Sequence, residues 1–281
     1  MNAASLPVAG SFGRGRDWLL RRPSAFTLLL IVLVAGAVGW INPAFFQLSN
    51  LFDLVRAGTV TGLFAMGVLV VLAAGGLDVS FTAIAALTMY ALTKAVLAWA
   101  PGAPVLAIFA AGAAGGCLLG LANGWLVHKL AAPSLIVTIG TQYFYRGLLL
   151  SFVGTAWIAN VPASMEAFGK LALISHQPAH GLRAALPAFV LILAAAALLT
   201  WYLLRRTLLG RAAYAMGGNL AIAGRLGYDL RAMHLFVFGY AGLLAGVAGI
   251  VHVCSNRLAN PFDLVGSELD VIAAVVLGGA R

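Results

Sequence analysis

Acidic residues are scarce in this chain: eight Asp and Glu stand against seventeen Lys and Arg in 281 residues. Charged residues of both signs make up only 9%, against roughly a quarter in ordinary soluble domains, so a water-exposed globular surface is excluded. Two cysteines, Cys117 inside one apolar run and Cys254 at the end of another, exclude a disulfide framework. There is no G-x-x-x-x-G-K-[ST]; the Gly169-Lys170 pair runs into Leu171, so ATP binding through a P-loop is excluded. There is also no H-E-x-x-H and no G-x-S-x-G, which leaves a membrane protease or hydrolase nothing to work with. His176 and His180 have i, i+4 spacing, but Pro178 lies between them and no Cys or carboxylate is near, so no metal site is expected. The chain is read as not an enzyme, with no cofactor of its own.

What is abundant is apolar sequence. Hydrophobic residues reach 62% and the mean hydropathy is +1.00. Several runs approach the roughly 20 residues needed to cross a bilayer core. The expected fold is all-α, a polytopic transmembrane helical bundle of about eight spans. The net charge of +9 does not point to nucleic acid, because the basic residues sit at the ends of apolar runs and orient the chain in a membrane. A basic leader, residues 1–22 with Arg14, Arg16, Arg21 and Arg22, is expected to stay in the cytoplasm, followed by a retained signal anchor. The transmembrane domain then occupies 23–281. Spans are expected near 23–41, 58–74, 81–99, 104–127, 134–153, 185–204 and 234–253, with an eighth beginning near Leu269. The segments 42–56, 154–183 and 254–266 are placed outside.

The longest polar interruption is 205–233. It carries Arg205, Arg206, Arg211, Arg225 and Arg231 against Asp229 alone, the pattern of a cytoplasmic loop. Six crossings from an interior N-terminus bring the chain to the same side, so topology and charge agree. Gly217-Gly218-Asn219 is a turn signal, and Ala221, Ile222, Leu226 and Leu230 follow at helical spacing. The loop is either a docking surface for a soluble partner or a solvated connection that fixes topology.

Gly112, Gly116, Gly120 and Gly124 recur every four residues, and Gly239, Gly242, Gly246 and Gly249 form a second stripe. At that spacing small residues let helix backbones approach, so a packing seam is expected. Ionisable residues at membrane depth point more directly to function. Asp78 and Ser80 follow the helix-breaking Gly75-Gly76; they cap the next helix, line a pathway, or do both. Arg146 either snorkels or pairs with an acid of a neighbouring helix, and Lys94 is expected to snorkel. Glu268 and Asp270 are expected to cap the last helix, with a contact to Arg146 as the lesser alternative.

Four stretches carry a family resemblance. The loop from Gly210 resembles the G-x-x-x-x-A-x-G-x-N-x-x-A-A-x-x-x-G pattern of permeases of bacterial monosaccharide-type ABC importers, the ribose, xylose, rhamnose and autoinducer-2 group. Gly210, Ala215, Gly217, Asn219, Ala223 and Gly227 match it, while Leu220 and Ala221 replace residues that are often polar. GGLDVS at 75–80 resembles G-G-I-D-L-S, the Thr138–Gly147 run resembles T-I-G-T-x-x-x-x-R-G, and Glu268–Ala274 resembles E-x-D-x-I-A-A. The resemblance implies a permease subunit that moves a monosaccharide, or an autoinducer-2-like sugar derivative, by alternating access across the inner membrane. It implies three partners: a separate ABC ATPase, a second permease copy or homologue, and a periplasmic sugar-binding protein. ATPase coupling is thereby expected at Gly217, Gly218, Asn219, Ala223, Arg225 and Gly227, and a pathway or gating role at Gly75, Gly76, Asp78, Ser80 and Arg146. In the family, I-A-A-V-V-L-G-G is followed by a further span, so a truncated C-terminus is expected at Arg281. A branched-chain amino-acid permease shares the architecture and stays open as an alternative. A self-sufficient secondary transporter is less favoured, because Asp78 is nearly alone as a buried acid.

Overall fold

The computed structural model describes residues 23–176 and 184–280. The expected leader, 1–22, lies outside them, as do Pro178 and His180. After α1 (Pro23–Ile41) comes a 3-10 turn, Pro43–Phe46, and then α2 (Leu48–Ala73), α3 (Phe81–Trp99), α4 (Val105–Leu130) and α5 (Ser134–Leu148). A π-helical turn, Leu149–Val153, ends α5. The segment that follows holds α6 (Ala163–Lys170) and a hairpin of β1 (Ala172–His176) and β2 (Ala184–Pro187). Next come α7 (Val190–Arg206), α8 (Leu208–Gly218), α9 (Leu220–Arg225), α10 (Leu230–Asn256) and α11 (Glu268–Leu277).

The architecture is the expected helical membrane bundle, with the hairpin as a small exception. Among the described residues α2, α3, α4 and α10 are long and apolar enough to cross a bilayer. Counting α7 and α8, bent by 73°, as one broken span gives five. The remaining expected spans are shorter: α1 with an apolar stretch Ala25–Ile41, α5 with 15 residues and α11 with 10. Two boundaries also move. The stretch from Leu48, expected outside, is the first part of α2, so that helix is 26 residues and about 39 Å long. The helix expected from Ala185 begins at Val190, because Ala184–Pro187 pair as a strand and Pro187 has no N–H to offer a helix.

The bundle is built around α10. Its apolar window is 78% buried, against 22% for α4, which packs on it from outside. Their contact runs antiparallel along the glycine stripe. A Cβ at Gly112 would meet Ile250 Cγ1, and one at Gly124 would meet the His234 carbonyl oxygen. Between them, a Cβ on Gly116 would lie 2.2 Å from the Gly242 oxygen, and one on Gly120 2.2 Å from the Phe238 oxygen. This is backbone packed on backbone, so the neighbours have no flexible side chain to move aside. All four glycines of α4 serve the seam, but those of α10 divide. Gly242 and Gly246 face α4 backbone, Gly239 meets Leu121, and Gly249 sits against the Ala85 oxygen of α3.

Gly116→Val is expected to destabilise the bundle by at least the ~1–3 kcal/mol typical of an overpacked core. Gly58→Ala, whose Cβ would meet nothing within 4 Å, is expected to be close to neutral. Thermal unfolding of the detergent-solubilised protein compares the two.

Candidate functional site

The break between α2 and α3 is the chemical centre of the molecule. Gly75 has φ +76°, a conformation that side chains disfavour, and it turns the chain out of α2. The backbone that follows has left its helix and runs from exposed Gly75 to buried Asp78, Val79 and Ser80, where each unpaired N–H or C=O costs several kcal/mol. Hydroxyls of α5 meet that need. Ser134 Oγ accepts from Leu77 N at 2.8 Å. One turn later, Thr138 Oγ1 accepts from Val79 N at 3.3 Å and lies 3.4 Å from the Leu77 carbonyl oxygen.

Asp78 is 1% exposed. Its Oδ1 accepts from both Ser80 N and Ser80 Oγ at 2.7 Å, while Oδ2 is buried with no partner. Ser80 occupies the N-cap position of α3 but makes no side-chain capping bond. The expectation of a cap is corrected for Ser80, whose side chain does not cap the helix, while Asp78 does accept a backbone N–H at the helix start. Ser80 Oγ instead receives Asn123 Nδ2 at 2.6 Å, and Asn123 Oδ1 receives the Tyr145 hydroxyl at 3.0 Å. The chain of donors runs from α5 through α4 to the break, each pointing toward Asp78.

A second acid ties the same helices together. Glu268, 8% exposed at the start of α11, accepts from Thr82 Oγ1 of α3 and from Gln142 Nε2 of α5 at 2.7 Å. It also accepts from Gly266 N at 3.0 Å. Glu268 lies in the first turn of its helix, and the lesser alternative, a contact with Arg146, is replaced by one with Gln142, one helical turn earlier. Ser134, Thr138, Gln142 and Arg146 form one i+4 row on α5. The first three are hydrogen-bonded; Arg146 is half-buried and has no side-chain partner among the described residues. Lys94 ties to the end of the π turn, donating to the Val153 carbonyl.

The loop 205–233 is a chain of three capped helix starts. Thr207 Oγ1 accepts from Gly210 N at 3.2 Å, Asn219 Oδ1 from Ile222 N at 3.0 Å, and Asp229 Oδ1 from Ala232 N at 3.0 Å. Gly227, at φ +87°, turns α9 toward α10. The expected apolar stripe does not bury itself: Ile222 and Leu226 are exposed, and Ala223 is the fully buried anchor. Helix α9 ends at Arg225, so Leu226 and Leu230 fall outside it.

The loop and the break touch. A Cβ on Gly217 would lie 2.3 Å from the Ala73 oxygen, and one on Gly75 2.9 Å from Gly217 Cα. Beside that contact is a cavity of about 150 Å³, lined by Gly75, Gly76, Ser134, Met216, Leu220 and His234. So Gly75, Gly76 and Gly217 come together, with Asp78 and Ser80 behind them. Gly218, Asn219, Arg225 and Gly227 are exposed on the loop, and Arg146 lies apart. Sequence reasoning missed Ser134, Thr138, Asn123, Gln142 and Tyr145. Polar side chains repeated at four-residue spacing inside an apolar run were the available signal.

Thr138→Val keeps the shape but leaves Val79 N unsatisfied. It is expected to cost about 1–3 kcal/mol of stability, measured by thermal unfolding in detergent.

Comparison with known proteins places these features in a family. A family model described as "Branched-chain amino acid transport system / permease component" matches residues 50–281. The ribose import permease protein RbsC of Escherichia coli (strain K12) is 32% identical over 267 residues, covering 94% of this chain and 78% of its own length. RbsC of Bacillus subtilis (strain 168) is 32% identical over 265 residues, covering 94% and 78%. The autoinducer 2 import system permease protein LsrC of Klebsiella pneumoniae is 34% identical over 255 residues, covering 91% and 69%. No solved structure matches the chain. With the family pattern running over most of its length, this chain belongs to the branched-chain amino acid transport system / permease component family, on the side of its ribose and autoinducer-2 import permeases.

Proposed function

We propose that the chain is the membrane-spanning subunit of an ABC sugar importer and moves a monosaccharide, or an autoinducer-2-like derivative, by alternating access. The observation that carries the mechanism is the backbone contact between Gly217 of the loop and Gly75 of the broken helix. In this reading 205–233 lies in the cytoplasm and α9 seats in a separate ATPase, presenting Leu220, Ile222, Leu226 and Arg225 to it. All four are exposed. ATP-driven closure of the ATPase pair displaces α9 and α8, and Gly217 passes the displacement to the break. The Asp78–Ser80–Asn123–Tyr145 and Glu268–Gln142 links then move α3, α4 and α5 together. A second permease subunit completes the pathway, and a periplasmic binding protein delivers the sugar. The topology is eight traverses of the inner membrane from a cytoplasmic N-terminus, with α1, α5 plus its π turn, and α11 as the shorter ones.

The family model's description favours a second reading, import of a branched-chain amino acid. The ribose and autoinducer-2 relatives, at 32–34% identity, favour the first.

Reconstituted vesicles with the cognate ATPase and binding protein decide between them, using labelled D-ribose, autoinducer 2 and L-leucine. Gly217→Val is expected to lower ATP-dependent uptake by about tenfold or more, equivalent to ~1.4 kcal/mol of lost coupling. Gly218→Ala, whose Cβ would meet nothing within 4 Å, is expected to import normally. Uptake without ATP would sink the importer reading, and uptake of leucine alone would replace the sugar with the amino acid.

A further inference from the structure

Far from the arginine-rich loop, the first part of α2 carries polar residues on an exposed face. Asp53, Arg56 and Thr61 are all exposed there. Arg56 lies about 12 Å along the helix from Leu48, and Thr61 about 20 Å. A guanidinium at such depth is stable only against polar protein or water. Arg56 has both. Its Nε donates to Ser255 Oγ at 3.2 Å and its Nη2 to the Ser255 carbonyl at 2.6 Å, in the last turn of α10. Beside that clamp opens a cavity of about 320 Å³, lined by Arg56, Thr61, Phe64, His252, Asn256 and Ser267. The volume sits at the small end of the roughly 300–1,000 Å³ typical of small-molecule sites.

The chemistry of the lining selects a ligand class. A guanidinium, a carboxamide, an imidazole and three hydroxyls, counting Ser255, surround one aromatic wall. No carboxylate lines the cavity. The nearest acid in the cluster, Asp263, is already engaged: Oδ2 lies 3.1 Å from His252 Nε2, and Oδ1 accepts from Asn260 Nδ2 at 2.7 Å. A zwitterionic ligand would bring an ammonium with no anion to receive it. An uncharged polyol, with hydroxyls that both donate and accept, can join the polar groups present, which already bond one another or backbone (Arg56 to Ser255, Asn256 to His252, Ser267 to Leu264). Ala57, Val60, Phe64 and Leu264 give its carbons an apolar wall. The cavity is also joined to the bundle's moving parts, since its Ser267 precedes Glu268, which holds Thr82 and Gln142.

We propose that this cavity between α2 and α10 is the reception site for a neutral, polyhydroxylated ligand of monosaccharide size entering from the exterior. The proposal rests on the importer reading above and adds the place and chemistry of entry.

The test uses the full complex in vesicles, with Thr61→Cys in a Cys117→Ser background. Cys254 is fully buried. A membrane-impermeant thiol reagent is applied from the outer side, with empty, D-ribose-loaded or L-leucine-loaded binding protein. Labelling is expected with empty binding protein and is expected to slow severalfold with the ribose-loaded form. A companion variant, Thr61→Trp, fills the cavity and is expected to cut ribose uptake by about tenfold. No labelling in any condition, or equal labelling with loaded and empty protein, overturns the site. Slowing by leucine rather than ribose overturns the ligand class. Ribose uptake at the wild-type rate in Thr61→Trp also overturns the site while the importer reading stands. A wild-type complex that imports none of these solutes removes the importer reading, and the proposal falls with it.

Discussion

A backbone that leaves its helix inside an apolar bundle must find hydrogen-bond partners within the protein, and here that demand falls on residues 74–80. Its second half, Asp78 to Ser80, is buried, so the partners there have to be built in. The two α5 hydroxyls of Ser134 and Thr138 supply them, and this fixes how α5 lies against the break. Asn123 and Tyr145 then fix α4 and α5 relative to Ser80. Asp78 is the costly member, with one oxygen twice bonded and the other buried without a partner. Such a group stays only where the surrounding geometry holds it: α3 and α4 pack on α10, and α5 packs on α3 and α4.

The glycine seam is the counterpart of this polar centre. Lipid supplies no hydrophobic drive between helices, so close approach has to supply dispersion contact instead. Gly116 against Gly242, and Gly120 against Phe238, bring two backbones together with no side chain between. A contact of that kind has a single good register. It sets the α4–α10 axis as a rigid spine, while the break and the loop meet at one end of it. Rigid seam and unpaired carboxyl thus lie apart: the seam runs between α4 and α10, and the carboxyl sits in the break between α2 and α3.

Much of this was legible in the sequence. Composition and run length gave a membrane bundle, the four-residue glycine repeat gave the α4 seam, and Gly75-Gly76 gave the break. The loop's turn at Gly217-Gly218-Asn219 was also readable, because Asn219 is a strong capping residue. Other features were not legible, for physical reasons. The start of α2 hides behind Pro43 and the aromatic Phe45-Phe46, which read as an interfacial segment although only a 3-10 turn separates two helices. The division of the α10 glycines between α3 and α4 depends on helix rotation, which periodicity does not fix. The pairing of Glu268 with Gln142 instead of Arg146 depends on a one-turn difference in register between two helices distant in sequence. The Gly75–Gly217 contact joins positions 142 residues apart, and no local pattern encodes it.

The three caps of the loop have a mechanical meaning. Thr207 and Asn219 each stiffen the start of a short helix, Asp229 stiffens the start of the long α10, and Gly227 is the one non-helical glycine among the joints with a positive φ. The segment is therefore a jointed linkage of short rods instead of a slack tether. A tether under load first takes up its own slack, whereas rods pass displacement along with little loss. The exposed face of α9 and the backbone at Gly75 are thus separated by a single capped joint, Asn219, because Gly217 in the last turn of α8 already touches Gly75.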